Sequence, residues 1–191
     1  MDTKGFSKTS SFKSKSKYEV FLSFRGEDTR KNFTDHLYAA LINSGVNTFI
    51  DDNELPRGKD ISSELIKAIQ ESKISIVVFS KSYASSRWCL NELVKIIECK
   101  NTLGQIVIPI FYDVDPSDVR KQTGSYTKAF AVHEERFDAD IKMIKRWREA
   151  LSEAADLSGW DLQSVANGYL ILSKINYSKL FLDVIVIFNH F

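Results

Sequence analysis

The sequence predicts a doubly wound α/β domain: a five-stranded, flavodoxin-like parallel sheet of order 2-1-3-4-5 with helices on both faces. Three observations predict it. Short apolar runs alternate with segments of helical periodicity along most of the 191 residues, which calls for parallel strands joined by right-handed crossovers. The run at 74–79, ISIVVF, is nearly continuously apolar, as a strand covered on both faces must be. Five such runs suit the flavodoxin-like order, whose ligand crevice opens at the carboxyl ends of strands one and three. Residues following Phe24 and those following Phe79 are therefore expected to share one cleft.

The elements follow in order. Residues 18–24 read as the first strand, bounded by Gly26 as a turn residue. Phe33, Leu37, Ala40 and Leu41 recur at helical spacing, and Gly45 suits the helix end. A second strand at 46–50 leads into a polar loop from Asp51 to Lys59, with Asp52, Leu55, Pro56 and Gly58 inside it. Ile61, Leu65, Ala68 and Ile69 mark the next helix, with Asp60 as its cap. A third helix starts near Ser86, and its Cys89, Leu93, Ile96 and Ile97 form an apolar stripe. Residues 106–112 form the fourth strand, where Pro109 either faces away from a neighbour or disrupts pairing. Helical segments from Asp115-Pro116 through Trp147 and Leu151 precede a short strand at 159–162.

Composition narrows the function classes. A hydrophobic share of 43%, a charged share of 27% and a net charge of +1 describe an ordinary globular chain. That balance gives a nucleic-acid partner no support. Cys89 and Cys99 lie ten residues apart in one helix, which suits neither a disulfide nor a metal set, so a reducing compartment is expected. His36, His133 and His190 are scattered, and no metal is expected. The apolar run 180–188 is interrupted by Asp183 and falls short of the roughly 18 residues that cross a bilayer. No signal-peptide core or myristoylation glycine follows Met1, so no membrane partner is expected. Residues 1–17, rich in Ser and Lys, read as a flexible arm.

Two segments carry candidate chemistry. After the first strand comes FRGEDTR, 24–30, in which Arg25, Gly26 and Arg30 suit close approach to a phosphate. The plain alternative is an ion-paired loop whose Asp28 caps the next helix. After the third strand, Trp88 and Glu92 stand at i and i+4 and share a helix face. An aromatic ring beside a carboxylate could hold a flat cationic heterocycle and stabilise positive charge on a nearby sugar. Alternatively, Trp88 packs and Glu92 is a surface acid. Gly58-Lys59 resembles the end of a P-loop, but Asn53 and Asp60 stand where that motif needs Gly and Ser or Thr, so it is rejected.

The segments 18–30 (YEVFLSFRGEDTR), 85–93 (SSRWCLNEL) and 109–120 (PIFYDVDPSDVR) closely resemble three motifs of plant TIR (Toll/interleukin receptor) domains, in the same order. The resemblance covers about residues 18–168. It implies the five-stranded fold above and, for many members, hydrolysis of NAD+ or NADP+ at the nicotinamide–ribose bond. It implies Glu92 as the catalytic carboxylate and Trp88 as the nicotinamide-side aromatic. Phe24, Arg25, Gly26 and Arg30 become pocket residues, and Ser86 a serine near the ribose. The loop 51–59 matches the segment that completes a neighbouring subunit's site, and His36 lies on the first helix, a self-association surface. NAD(P)+ is then a substrate rather than a cofactor, the partners are other TIR domains, and the setting is cytoplasmic or nucleocytoplasmic plant immune signalling. The alternative is a non-catalytic adaptor that modulates a full receptor. Members usually continue past Gly168 into an amphipathic helix. The apolar tail 169–191 reads here as a substitute last helix or an alternative transcript end.

Overall fold

The computed structural model describes residues 16–50, 63–136, 140–162 and 186. The loop 51–59, Asp60 and Ile61, and most of the terminal segments 1–17 and 169–191 lie outside the described residues.

Strand β1 (Tyr18–Phe24) turns Phe21 and Ser23 toward one layer and Val20, Leu22 and Phe24 toward the other; all five are buried. The chain then runs through α1 (Gly26–Thr29), a π-helical stretch (Arg30–Thr34) and α2 (Asp35–Asn43). Gly26 is thus the first helical residue, not a turn; Arg25, extended at φ −93° and ψ 112°, makes the bend. Gly45 ends α2 in the left-handed region at φ 81°, and the Val46 N–H turns back to the Leu41 carbonyl at 3.0 Å. That commitment explains why β2 is Thr48–Ile50 and does not begin at residue 46.

Helix α3 (Ser63–Gln70) leads into β3 (Ser72–Phe79), which starts two residues earlier than its apolar run. Ser72 pairs with Tyr18, and its hydroxyl donates to the Ala68 carbonyl at 2.7 Å, so a polar residue begins the strand without leaving its donor unmatched. A 3-10 turn (Tyr83–Ser85) precedes α4 (Arg87–Leu103), which Gly104 closes at φ 71°. There follow β4 (Ile106–Tyr112), α5 (Pro116–Lys121), α6 (Ser125–Arg136), α7 (Ile141–Ala155) and β5 (Trp160–Leu162).

All neighbouring strands pair in parallel, in the order β2-β1-β3-β4-β5. This is the sheet expected from the sequence. One face carries Phe21, Val77, Phe79, Val107 and Phe111 under α3, α4, α6 and α7. The other carries Val20, Leu22, Phe24, Ile76, Val78 and Ile110 against Phe33, Leu37 and Leu41 of the first helical stretch. Among the described residues, no helix is long and apolar enough to cross a membrane.

Pro109 does not interrupt the β3–β4 ladder, where it stands opposite Val77. The β4–β5 ladder begins one position later, at Ile110 and Trp160, so the missing donor falls where that pairing has not yet started. Gly159 lies directly against the proline: a Cβ there would stand 2.2 Å from the Pro109 carbonyl oxygen and 2.6 Å from its Cγ. Neither atom can move without moving the sheet. Gly159→Ala is therefore expected to destabilise the fold by about 1–3 kcal/mol, read as a lower urea midpoint at unchanged slope.

Candidate active site at the carboxyl end of the sheet

The segments after Phe24 and after Phe79 do meet. The Ser80 hydroxyl donates to the Asp28 carboxylate, and the Cys89 thiol lies 3.5 Å from the Phe24 carbonyl. Asp28 is thus the third residue of α1, tied to Arg25 and Ser80, and not the cap of a following helix. The ion-paired alternative for this loop holds: Arg25 bonds both Glu27 and Asp28 through its two terminal nitrogens.

Ser86 starts α4 as its N-cap. Its oxygen accepts the Cys89 N–H at 3.2 Å, and its extended backbone leaves the helix direction to the residues that follow. Two turns in, Glu92 is only 3% exposed. It is not the surface acid that its sequence spacing also allowed. The Ser23 hydroxyl donates to its Oε2 at 2.8 Å. Ser23 also touches the Tyr83 hydroxyl at 3.1 Å, and Tyr83 donates to the Cys89 carbonyl at 3.1 Å. A polar group joining strand, turn and helix is formed inside an apolar layer. Burial, then the neighbouring Cys89 and Glu92, pushes the Tyr83 phenol well up. Burial and the Glu92 charge do the same to the Cys89 thiol. Both groups therefore keep their protons at neutral pH.

Trp88 is half-buried on the first turn of α4, packed against the same apolar cluster. Phe24 and Arg30 belong to the opposite wall: the Arg30 guanidinium sits over the Phe24 ring at 5.0 Å, on the face of the sheet away from α4. A crevice of this topology opens above the strand ends, between helices that leave on opposite faces. Trp88 thus packs in the layer on one face of the sheet and Phe24 in the layer on the other. His36 is exposed on α2. The positions Asp51, Asp52, Leu55, Pro56, Gly58 and Lys59 lie outside the described residues.

Sequence reasoning missed Ser23, Tyr83 and Asp28 as members of this network, and it missed the brace behind it. Helix α6 holds the segment between β3 and α4 by its carbonyls. Ser125 donates to the Lys81 oxygen at 2.6 Å, Tyr126 to the Ser80 oxygen at 2.9 Å, and His133 Nε2 bonds the Ala84 oxygen at 2.8 Å. The α4 helix is held from behind by the Trp147 indole donating to Asn91 at 2.8 Å. A second cleft, of about 410 Å³, opens at the ends of β4 and β5 beside Phe111, Pro116 and Asp161. Its Arg120 is paired with Asp156 at 3.1 Å. It lies away from Glu92, and the network of buried polar contacts, not cavity size, marks the candidate site.

A flavodoxin-like sheet with a buried carboxylate on the helix after β3 defines the class of domain. The particular family follows from comparison: residues 17–180 match the TIR domain family, and the chain belongs to it. It is similar to TMV resistance protein N of Nicotiana glutinosa, 60% identical over 151 residues, covering 79% of this chain and 13% of that protein. Disease resistance protein RPV1 of Vitis rotundifolia is 63% identical over 145 residues, covering 76% of this chain and 10% of that protein. The chain thus spans about a tenth of the length of these relatives. Among solved structures, the TIR domains of the activated Roq1 resistosome directly recognizing the pathogen effector XopQ superpose with a TM-score of 0.76. Identity there is 54%, covering 88% of this chain and 97% of that chain.

The brace carries a pH signature. Burial lowers the affinity of His133 for a proton, partly offset by its bond to Ala84, with Arg136 and Arg87 adding to the lowering. The folded value lies below the ordinary 6.5, so the unfolded chain binds the proton more tightly. The stabilisation is complete above about pH 6.5 and is lost as pH falls through the folded value. The urea midpoint should fall between about pH 7 and about pH 5.5, and His133→Gln should flatten that fall.

Proposed function

We propose that this domain hydrolyses NAD+ or NADP+ at the nicotinamide–ribose bond, giving nicotinamide and ADP-ribose or cyclic and related signalling nucleotides. The observation that carries the reading is Glu92: a carboxylate 3% exposed, bonded by Ser23, under the strand ends where ligands bind in this topology. Buried acids at such positions are a recognised mark of reacting centres.

The chemistry suits a single carboxylate. The nicotinamide ring leaves from a cationic pyridinium, taking the C1′–N electron pair with it and departing neutral, so no general acid is needed at the leaving group. The ribose is left as an oxocarbenium-like centre. Glu92 stabilises that charge across a short distance in a water-poor site. Water then adds at C1′ and loses its proton to solvent. Trp88 supplies a face for the pyridinium, Arg25 and Arg30 supply positive charge for the diphosphate with Gly26 letting the backbone come close, and Ser86 serves the ribose. Phe24 is the platform under Arg30. No metal enters this scheme.

The relatives are named as a TMV resistance protein and a disease resistance protein, which supports a place for this activity in plant immune signalling; its setting would be the cytoplasm or nucleocytoplasm. Activation by self-association is part of the proposal, since a similar solved chain is described as a resistosome TIR domain. The exposed positions His36, Ala39 and Ile42 follow at three-residue spacing along α2, and Ile42 is a large apolar side chain at 43% exposure. Such a stripe suits contact with a second TIR domain and also favours the adaptor reading. The loop from Asp51 to Lys59 would complete the neighbour's site.

Purified protein should consume NAD+ at a rate per molecule that rises with protein concentration. Glu92→Ala should lower that rate at least about a hundredfold. Turnover that survives Glu92→Ala excludes the glycohydrolase, and a catalytically dead variant that still produces the cellular response points to the adaptor.

A further inference from the structure

We propose that Ser23 is the positioning residue that keeps the Glu92 carboxylate ionised and fixes its orientation; its role in turnover rests on the glycohydrolase reading above. Three observations carry it. The first is the environment. Glu92 is 3% exposed within a layer of apolar side chains, and a carboxyl in such surroundings favours its protonated form unless donors stabilise the anion. A protonated Glu92 would be useless against a developing positive charge.

The second is the direction of the bond. Ser23 has no solvent exposure and donates to Glu92 Oε2 at 2.8 Å. Its hydroxyl has one proton, and the carboxylate is a stronger acceptor than the Tyr83 phenol 3.1 Å away. A donor to the charged form lowers the energy of that form and leaves the neutral form without benefit.

The third is how the bond is held. Tyr83 touches Ser23 and donates to the Cys89 carbonyl at 3.1 Å, three residues before Glu92 on the same helix. The frame ties β1, the 3-10 turn and α4 together, so Ser23 cannot turn away from the carboxylate without breaking contacts on both sides. Along its face of β1, the preceding inward residue is the fully buried Phe21. A hydroxyl at this position is out of place for packing and in place for the acid opposite.

The test measures ionisation and turnover separately. The side-chain carboxyl of Glu92 is followed by carbon-13 NMR across pH in glutamate-labelled protein, its signal assigned by loss in Glu92→Gln. NAD+ turnover is measured on the same samples. In Ser23→Ala the carboxyl midpoint should rise by about one to two pH units. The acid limb of the kcat/KM profile should rise by the same interval, and kcat near neutral pH should fall about tenfold to a hundredfold. Part of that loss should recover at higher pH, which damage to packing would not produce. Ser23→Cys, similar in shape with a weaker donor, should fall between the two, and it takes over the test should Ser23→Ala not fold. An unmoved midpoint overturns the proposal whether or not NAD+ is consumed. A midpoint moved in Ser23→Ala, together with a wild-type protein that never consumes NAD+, overturns the glycohydrolase reading and leaves Ser23 as the group that sets the charge of Glu92.

Discussion

The constraint on which the rest of this domain depends is a carboxylate inside an apolar layer. Burying Glu92 costs several kcal/mol unless the protein replaces the water it loses, and one such replacement is a hydroxyl 69 residues away in sequence. The bond requires that β1 present Ser23, and neither Leu22 nor Phe24, toward α4. A one-residue slip of that strand would face the acid with a hydrocarbon side chain. The β1–β3 register, with Ser23 opposite Val77 and Phe24 opposite Val78, is what prevents it. Sheet register and site chemistry are therefore the same fact seen at two scales.

Precision of that kind needs support from behind. The segment between β3 and α4 pairs its Ser80, Ser82 and Tyr83 carbonyls with its own amides but leaves bonding capacity over, and a buried unpaired carbonyl is costly. Helix α6 bonds three of the segment's carbonyls with Ser125, Tyr126 and His133, and in doing so sets where α4 begins. Ser86 then caps the helix, and Trp147 bonds Asn91, next to Glu92. The placement of one acid is thus shared among α4, α6, α7, the 3-10 turn and the strand β1.

Much of this was legible in the sequence, and the unread part has a physical cause. The order of the sheet followed from strand–helix alternation, because parallel strands need crossovers and crossovers need helices. Strand ends were less legible: β2 is shortened because the Val46 amide is taken by the end of α2, and β3 is extended by Ser72 and Lys73, which no hydrophobic pattern reveals. Gly26 read as a turn, but the bend is made by Arg25, and the glycine simply enters α1. At the site, the resemblance singled out Glu92 and Trp88, whereas spacing alone left the acid's burial open. Ser23 was invisible for a different reason. A small polar residue in a strand looks like a break in alternation, and no periodicity links it to a partner on a helix that packs against it only in the folded chain.

The first-loop arginine shows how the same network bears on an anionic substrate. Arg25 is already shared between two acids, which taken alone argues against its use as a phosphate ligand. The two acids are not equivalent. Asp28 is half-buried and receives the Ser80 hydroxyl, so its place is fixed by the strand ends. Glu27 has a side chain 54% exposed, and exposed ion pairs hold by only about 0–1 kcal/mol. On the proposed reading, a diphosphate competes with Glu27 for the guanidinium while Asp28 keeps the arginine oriented. The loop that looked like an alternative to phosphate binding is then its preorganised form, with the anchoring acid and the exchangeable acid on the two ends of one fork.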